Sequence, residues 1–242
     1  MASEYLDVAS WPEPLAKAYL EYSARDGDLD GWVEKLSREI YLAECYLALL
    51  SHICAADYLS RWEPHPLLDG SLRRTYPMPT TGTFARFLLD YVHLAHAGEP
   101  FIPELAVLAD AERPIARVVE IRNDLGHPLN LPTDYEACQE HHQKLQTCLA
   151  RLLPVLNLFA DYDLCYLHET VLQGEERKVR TYKGALPGVT FITSNELLPR
   201  SHVVLKRRGD GALLDLHPFC VLHQSERRDE NQIGWQCGAK DD

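Results

Sequence analysis

The chain lacks a run of about 18 consecutive apolar residues, the length a membrane-spanning helix requires. Its first residues, Met-Ala-Ser-Glu-Tyr-Leu-Asp, carry no basic segment ahead of an apolar one. No secretory signal and no membrane partner are therefore expected, and the cytoplasm is the expected compartment. Cysteine pairs are missing as well. The seven cysteines (45, 54, 138, 148, 165, 220 and 237) are odd in number, scattered and never spaced C-x-x-C. That argues against a disulfide framework or a zinc ribbon and for reduced thiols. There is no Walker loop, dinucleotide fingerprint, zinc-binding helix or nucleophile elbow, so no cofactor and no metal are expected.

Basic charge is also scarce. Lysine and arginine number 24 against 36 acidic residues, a formal net charge of −12. Residues 161–242 hold 11 basic and 13 acidic residues, a balance of −2, which leaves −10 for residues 1–160. Such a surface argues against sequence-independent binding of long nucleic acid by charge alone. An RNA contact would have to be local, in a small cleft.

What is present is ordinary for a globular protein: 242 residues, 46% hydrophobic and 25% charged, enough for one large domain or two small ones. Helical spacing dominates to about residue 160. Residues 11–27 open on Trp11-Pro12-Glu13-Pro14 and close at Gly27. A long helix capped by Asp28 or Asp30 then runs to about Arg61, with Trp32, Leu36, Ile40, Ala43, Leu47, Leu50, Cys54 and Leu59 on one stripe. Its middle, 46–56, is apolar on most sides, as a central bundle helix should be. Glu39 and Glu44 interrupt the helix and read as solvent-facing. Residues 62–80 contain four prolines and a glycine and read as a loop. It carries Arg73 and Arg74, which are either solubilising charges or contacts for an RNA backbone. Thr80, Thr81 or Thr83 caps a helix to about Ala97. His93 and His96 stand i, i+3 without a further ligand in register. A short helix over 102–111 follows, and Pro114 opens the next one. The last helix, about 135–160, bends at Pro154. Its tandem His141-His142 diverge by about 100° and read as polar-face residues.

The stretch that organises the rest is Val119–Pro128, V-E-I-R-N-D-L-G-H-P. Ile115, Val118, Val119 and Ile121–Leu125 give a helix with a buried face. Gly126 tolerates a left-handed ending and Pro128 stops the helix. With Gly126 one residue past the cap, a Schellman ending would bond the His127 amide to the Arg122 carbonyl, bringing together two side chains that a continuous helix would separate. A histidine that titrates near neutrality and a permanently charged planar guanidinium suit cleavage of a phosphodiester whose own 2′-hydroxyl is the nucleophile. The same residues also read as a solvated Arg122–Asp124 ion pair beside a loop histidine.

Arg122-Asn123-x-x-x-His127, at the end of a helix in an all-helical region, resembles the R-N-x-x-x-H motif of HEPN domains. The likeness rests on residues 115–128 and the helical context over about 30–160. It implies an antiparallel helical bundle that dimerises and places two motifs in one cleft. Many members are metal-independent endoribonucleases of defence, toxin–antitoxin or RNA-processing systems; others only bind. Acidic residues on an early helix of such domains sometimes support the motif, a role open to Glu39 and Glu44. On this reading Arg122 and His127 are catalytic, Asn123 orients the phosphate or the imidazole, and Asp124 fixes Arg122 or the His127 tautomer.

After Asp161 the pattern turns to short strands, with Val179, Val189, Phe191 and Val203-Val204 punctuated by Gly184, Gly188 and Gly209-Asp210-Gly211. His202–Arg208 and Ala212–Phe219 read as a hairpin around a turn needing positive φ. Phe219–Leu222 reads as a further strand, and Ile233 and Trp235 offer a closing one within an otherwise polar tail. Lys206-Arg207-Arg208 is either an exposed turn or an RNA or partner contact. The expected fold is α+β: a HEPN-like helical domain over 1–160 and a small antiparallel β-subdomain with a polar tail over 161–242. Two functions remain from different classes. One is a homodimeric endoribonuclease acting on RNA. The other is a catalytically silent module for RNA or for a protein docked on the β-subdomain.

Overall fold

A run of thirty residues free of proline and glycine, rich in alanine and leucine, forms the longest element, helix α2 over Trp32–Arg61. At about 1.5 Å per residue it is roughly 45 Å long. Residues 46–56 are buried on every side, so α2 is the axis around which the other helices gather. An 18-residue window of this helix is apolar enough to cross a membrane, and 89% of it is buried inside the protein. It is a core helix. Leu36, Ile40, Ala43, Leu47, Leu50 and Cys54 all lie on its buried face, whereas Leu59, expected on the same stripe, is 61% exposed at the end of the helix.

The computed structural model describes residues 6–23, 31–95, 98–125, 135–166, 172–173, 176–184, 186–193, 202–224 and 231–235. Helix α1 (Glu13–Ser23) packs along α2. The proposed caps Asp28 and Asp30, and Gly27, lie outside the described residues. Residues 62–80, expected as a loop, contain helix α3 over Pro66–Thr75. Its first residue is proline, whose fixed φ suits the first turn and whose missing N–H is not needed there. Leu68, Ser71, Leu72 and Thr75 follow at i, i+3, i+4 and i+7 and face inward, Leu72 only partly buried. Helix α4 (Thr81–Leu94) begins at a capping box: Thr80 Oγ1 accepts from the Thr83 N–H, and Thr83 Oγ1 accepts from the Thr80 N–H.

A 3₁₀ stretch over Pro103–Ala111 leads directly into helix α5 (Glu112–Asp124), with Pro114 its third residue. Helix α6 (Tyr135–Leu152) gives way at Pro154 to a 3₁₀ turn over Leu153–Asp161, the bend that proline imposes. Helices α1, α4 and α6 surround α2, and α5 packs on α6. Asp57 of α2 ties this end of the bundle. Its buried carboxylate accepts from the Tyr91 hydroxyl, the Phe101 N–H at 2.9 Å and the Trp62 indole at 3.3 Å.

Strands β1 (Tyr162–Tyr166), β2 (Leu172–Gln173), β3 (Glu176–Lys183), β4 (Leu186–Thr193), β5 (Val203–Arg207) and β6 (Leu213–Asp215) form an antiparallel sheet. Its order is β2-β3-β1-β5-β6, with β4 on the other edge of β3. Gly184 (φ +64°) closes the β3–β4 hairpin, and Gly211 (φ +75°) supplies the positive φ expected after β5. Strands β7 (Cys220–Gln224) and β8 (Asn231–Trp235) pair separately, so the closing strand around Ile233 and Trp235 is present.

Helices and sheet share one core. Tyr162, Leu164, Tyr182, Val203, Leu205 and Leu214 belong to the same buried cluster as Leu15, Leu47 and Phe87. The N-terminal segment crosses the junction: the Gly184 N–H donates to the Trp11 carbonyl at 2.8 Å, and Pro12 bridges to Lys183. Lys183 Nζ donates to the carbonyls of Phe159, Ala160 and Tyr162, placing a cation where the helical chain ends.

Candidate functional site

Helix α5 delivers the motif arginine. Ile115, Val118 and Ile121 bury one face, Leu125 is the C-cap, and its N–H donates to the Ile121 carbonyl at 3.0 Å. Arg122 therefore stands three residues before the cap, and Gly126 follows it. Residues 126–134 lie outside the described residues, and with them His127 and the expected Schellman ending.

Arg122 is held from across the bundle. Its Nε donates to Glu44 Oε1 of α2 at 3.0 Å, and Thr81 Oγ1 at the start of α4 donates to the same oxygen at 2.9 Å. Three helices thus fix one guanidinium. Only the Nε–H is used in this contact, and among the described residues the four N–H donors of the terminal nitrogens have no hydrogen-bond partner. The Arg122 side chain is 27% exposed and that of Glu44 33%. Glu44, expected to face solvent, is the carboxylate that fixes Arg122, the role assigned to Asp124. Asp124 and Asn123 are both exposed on the last turn.

Glu39 corrects the same expectation more strongly. It has no exposed surface, and its Oε1 stands 2.6 Å from Nδ1 of His142 on α6. Burial pushes the Glu39 carboxyl up to about 8, against an opposing pull from Lys35. At neutral pH the carboxyl therefore keeps its proton in an apolar interface beside the imidazole. His142, read as a polar-face residue, lies instead on the inward stripe of Cys138, Leu145, Leu149 and Leu152, four residues from the first and three from the next. That spacing is a signal the sequence carried.

Arg73 and Arg74 are exposed in the last turn of α3, and adjacent helical positions send them to different places. Arg73 lines an apolar cleft of about 520 Å³ with Leu59, Leu72, Tyr76 and Phe219. Arg74 lines a recess of about 280 Å³ with Ser71, Thr75, Gly82, Thr83 and Arg86. Arg86, which sequence reading passed over, joins it from α4. Two members of the run Lys206-Arg207-Arg208 are engaged by partners within the chain. Arg207 pairs with Asp210 at 2.6 Å and lies over the Phe101 ring, and Arg208 pairs with Asp163 at 2.8 Å.

His93 Nε2 stands 3.9 Å from Glu112, and His96 lies outside the described residues. Among the described residues, no three histidine, cysteine or acidic side chains converge to hold a metal. The six described cysteines are buried and free, and burial pushes the thiols of Cys45 (to about 11), Cys54 and Cys220 up. These are packing residues and poor nucleophiles. Buried His52 touches the Tyr76 hydroxyl at 3.1 Å, and burial lowers its imidazole to about 4, so it stays neutral at physiological pH. On the sheet, His202 Nδ1 lies 2.7 Å from Asp215 Oδ2 and stacks on His217 at 4.1 Å, a pair that sequence reading did not single out. No family model, no curated protein and no solved structure matches this chain.

Proposed function

We propose that this chain is a metal-independent endoribonuclease of HEPN type, acting as a homodimer in the cytoplasm. The observation that supports the reading best is the clamp on Arg122. A permanently charged fork is oriented by a carboxylate on another helix, near the end of its own helix and five residues before His127 in sequence. Fixed cationic donors aimed at developing phosphoryl charge are the kind of electrostatic help that usually contributes most. In the proposed reaction the substrate's 2′-oxygen attacks phosphorus and the bond to the 5′-oxygen breaks. One His127 takes the proton from the 2′-hydroxyl, and its counterpart in the second copy gives a proton to the leaving oxygen. Asn123 orients the phosphate or the imidazole, and Asp124 is left to fix the His127 tautomer.

The test is incubation of purified protein with mixed RNA in EDTA. Wild type is expected to cleave, and His127→Ala to be slower by about 10²–10⁴-fold. Arg122→Lys is expected to be severely impaired, since an ammonium cannot reproduce the planar fork. Cleavage by His127→Ala at the wild-type rate would defeat the reading, as would full activity of a monomer by light scattering. The net charge of −12 favours a second reading, a silent module that binds RNA or a protein. RNA retained by every preparation and cleaved by none would establish it.

A further inference from the structure

We propose that the recess between α3 and α4 is a binding subsite for the phosphodiester backbone of single-stranded RNA, with Arg74 and Arg86 as its anion ligands. The inference rests on the reading of Arg122 as a phosphate-binding residue and extends that site along the strand.

The recess is chemically one-sided. Two arginines, two threonines, a serine and a glycine line it with no acidic residue among them, although most of the surface between their polar tips is carbon. At about 280 Å³ it is smaller than the usual range for drug-sized ligands and suits a compact anion. Arg86 is oriented by Asp90, whose carboxylate receives the arginine Nε at 3.0 Å and the Ser71 hydroxyl at 2.9 Å. As at Arg122, the Nε edge is spent on a carboxylate and the terminal nitrogens are presented outward. Arg74 has no ion pair among the described residues, although acidic residues outnumber basic ones by half in this chain. An exposed guanidinium left unpaired in so acidic a protein, beside a second one that is held in place, is an anion site by composition and by geometry.

The recess also adjoins Arg122. Thr81 Oγ1 and Arg122 Nε bind the same Glu44 oxygen, so they lie within about 6 Å of each other. The next two residues, Gly82 and Thr83, line the recess. A Cβ added at Gly82 would sit 3.5 Å from Val119 Cγ1, and Val119 is one turn before Arg122 on α5. Gly82 thus stands between the recess and the helix that carries Arg122. A strand carrying successive phosphates would engage both Arg122 and the recess, whereas a lone phosphate would use only one of them.

The measurement is fluorescence anisotropy of a labelled single-stranded oligouridylate of about 12 nucleotides, a length within the span of known single-strand sites. It is made in EDTA on the His127→Ala protein, at about 50 to 200 mM KCl. Arg74→Gln and Arg74→Gln/Arg86→Gln are compared with Arg151→Gln, an exposed change on α6. Thermal melts establish that each variant is folded. The double variant is expected to bind about tenfold or more weakly, with a salt slope shallower by about one to two units. Arg74→Gln, which breaks no ion pair among the described residues, should show part of both effects. Arg151→Gln should show neither. Inorganic phosphate and uridine monophosphate should compete only at far higher concentration than the oligomer; equal competition would make the site one for free phosphate and overturn the proposal. Unchanged affinity and slope in the folded double variant would overturn it too, as would no binding by the parent protein. RNA held through these arginines but left uncut by wild type would defeat the nuclease reading alone.

Discussion

Glu44 is where a single side chain decides most. It stands 78 positions from Arg122 in sequence and meets it at 3.0 Å, so its role is one of positioning. Replacing it with alanine should leave stability within about 1 kcal/mol, because a partly exposed ion pair contributes little. RNA cleavage should fall by about tenfold or more as Arg122 loses its orientation, and Glu44→Gln, which keeps an acceptor, should recover part of the rate. Equal rates for Glu44→Ala and wild type would contradict that role. Two buried groups set the pH response. Glu39 keeps its proton up to about 8 in the fold, whereas an ordinary carboxyl gives it up near 4.5. Its contribution is therefore fully present below about 4.5 and declines as pH rises toward 8. Between about 4.5 and 6.5 the opposite response of His52, lowered by burial to about 4, offsets this decline. The net loss falls between about 6.5 and 8, on the order of 1–2 kcal/mol. His52 acts in the opposite sense: its fold form resists protonation down to about 4, so stability is lost as pH falls below the usual 6.5. Denaturant melts should be nearly flat between about pH 4.5 and 6.5 and fall toward pH 8, and Glu39→Gln should flatten the alkaline limb and let stability fall below about 6.5.

At the scale of elements, much was legible and the misses have a common cause. The apolar period marked α2, α4, α5 and α6, the change of period after Asp161 marked the sheet, and the two-glycine turn marked the β5–β6 hairpin. Helix α3 was hidden because its inward face is built from Ser71 and Thr75 as well as Leu68 and Leu72, so half of its period is polar. Its prolines read as breakers although Pro66 occupies the one helical position where proline is favoured. His142 was hidden in the same way, a polar residue on an apolar stripe whose partner lies on another helix. The site divides likewise: Arg122 and its place near the helix end follow from local pattern, whereas its contacts with Glu44 and Thr81 are tertiary. Among the caps, the reciprocal Thr80–Thr83 pair should matter most, because it also sets Thr81 against Glu44. Thr80→Ala is expected to lower stability by about 1 kcal/mol in denaturant melts. It should slow RNA cleavage less than Glu44→Ala does.

In the whole molecule, one core joins bundle and sheet, and the arginines divide between two uses. Arg207 and Arg208 lock the β5–β6 hairpin to Asp210, Phe101 and Asp163, while Arg74 and Arg86 line the recess between α3 and α4 and Arg122 is held by Glu44. On the proposed reading, that division would let a protein of net charge −12 offer a local site to a polyanion. The central claim is that the substrate's own 2′-hydroxyl is the nucleophile at this site. It is tested most directly by end-group analysis of the products from an RNA strand and from its deoxy counterpart, both incubated with wild type in EDTA. The expected result is a 2′,3′-cyclic phosphate and a 5′-hydroxyl from RNA, with the deoxy strand intact. Products ending in a 5′-phosphate, or equal cleavage of the deoxy strand, would contradict it.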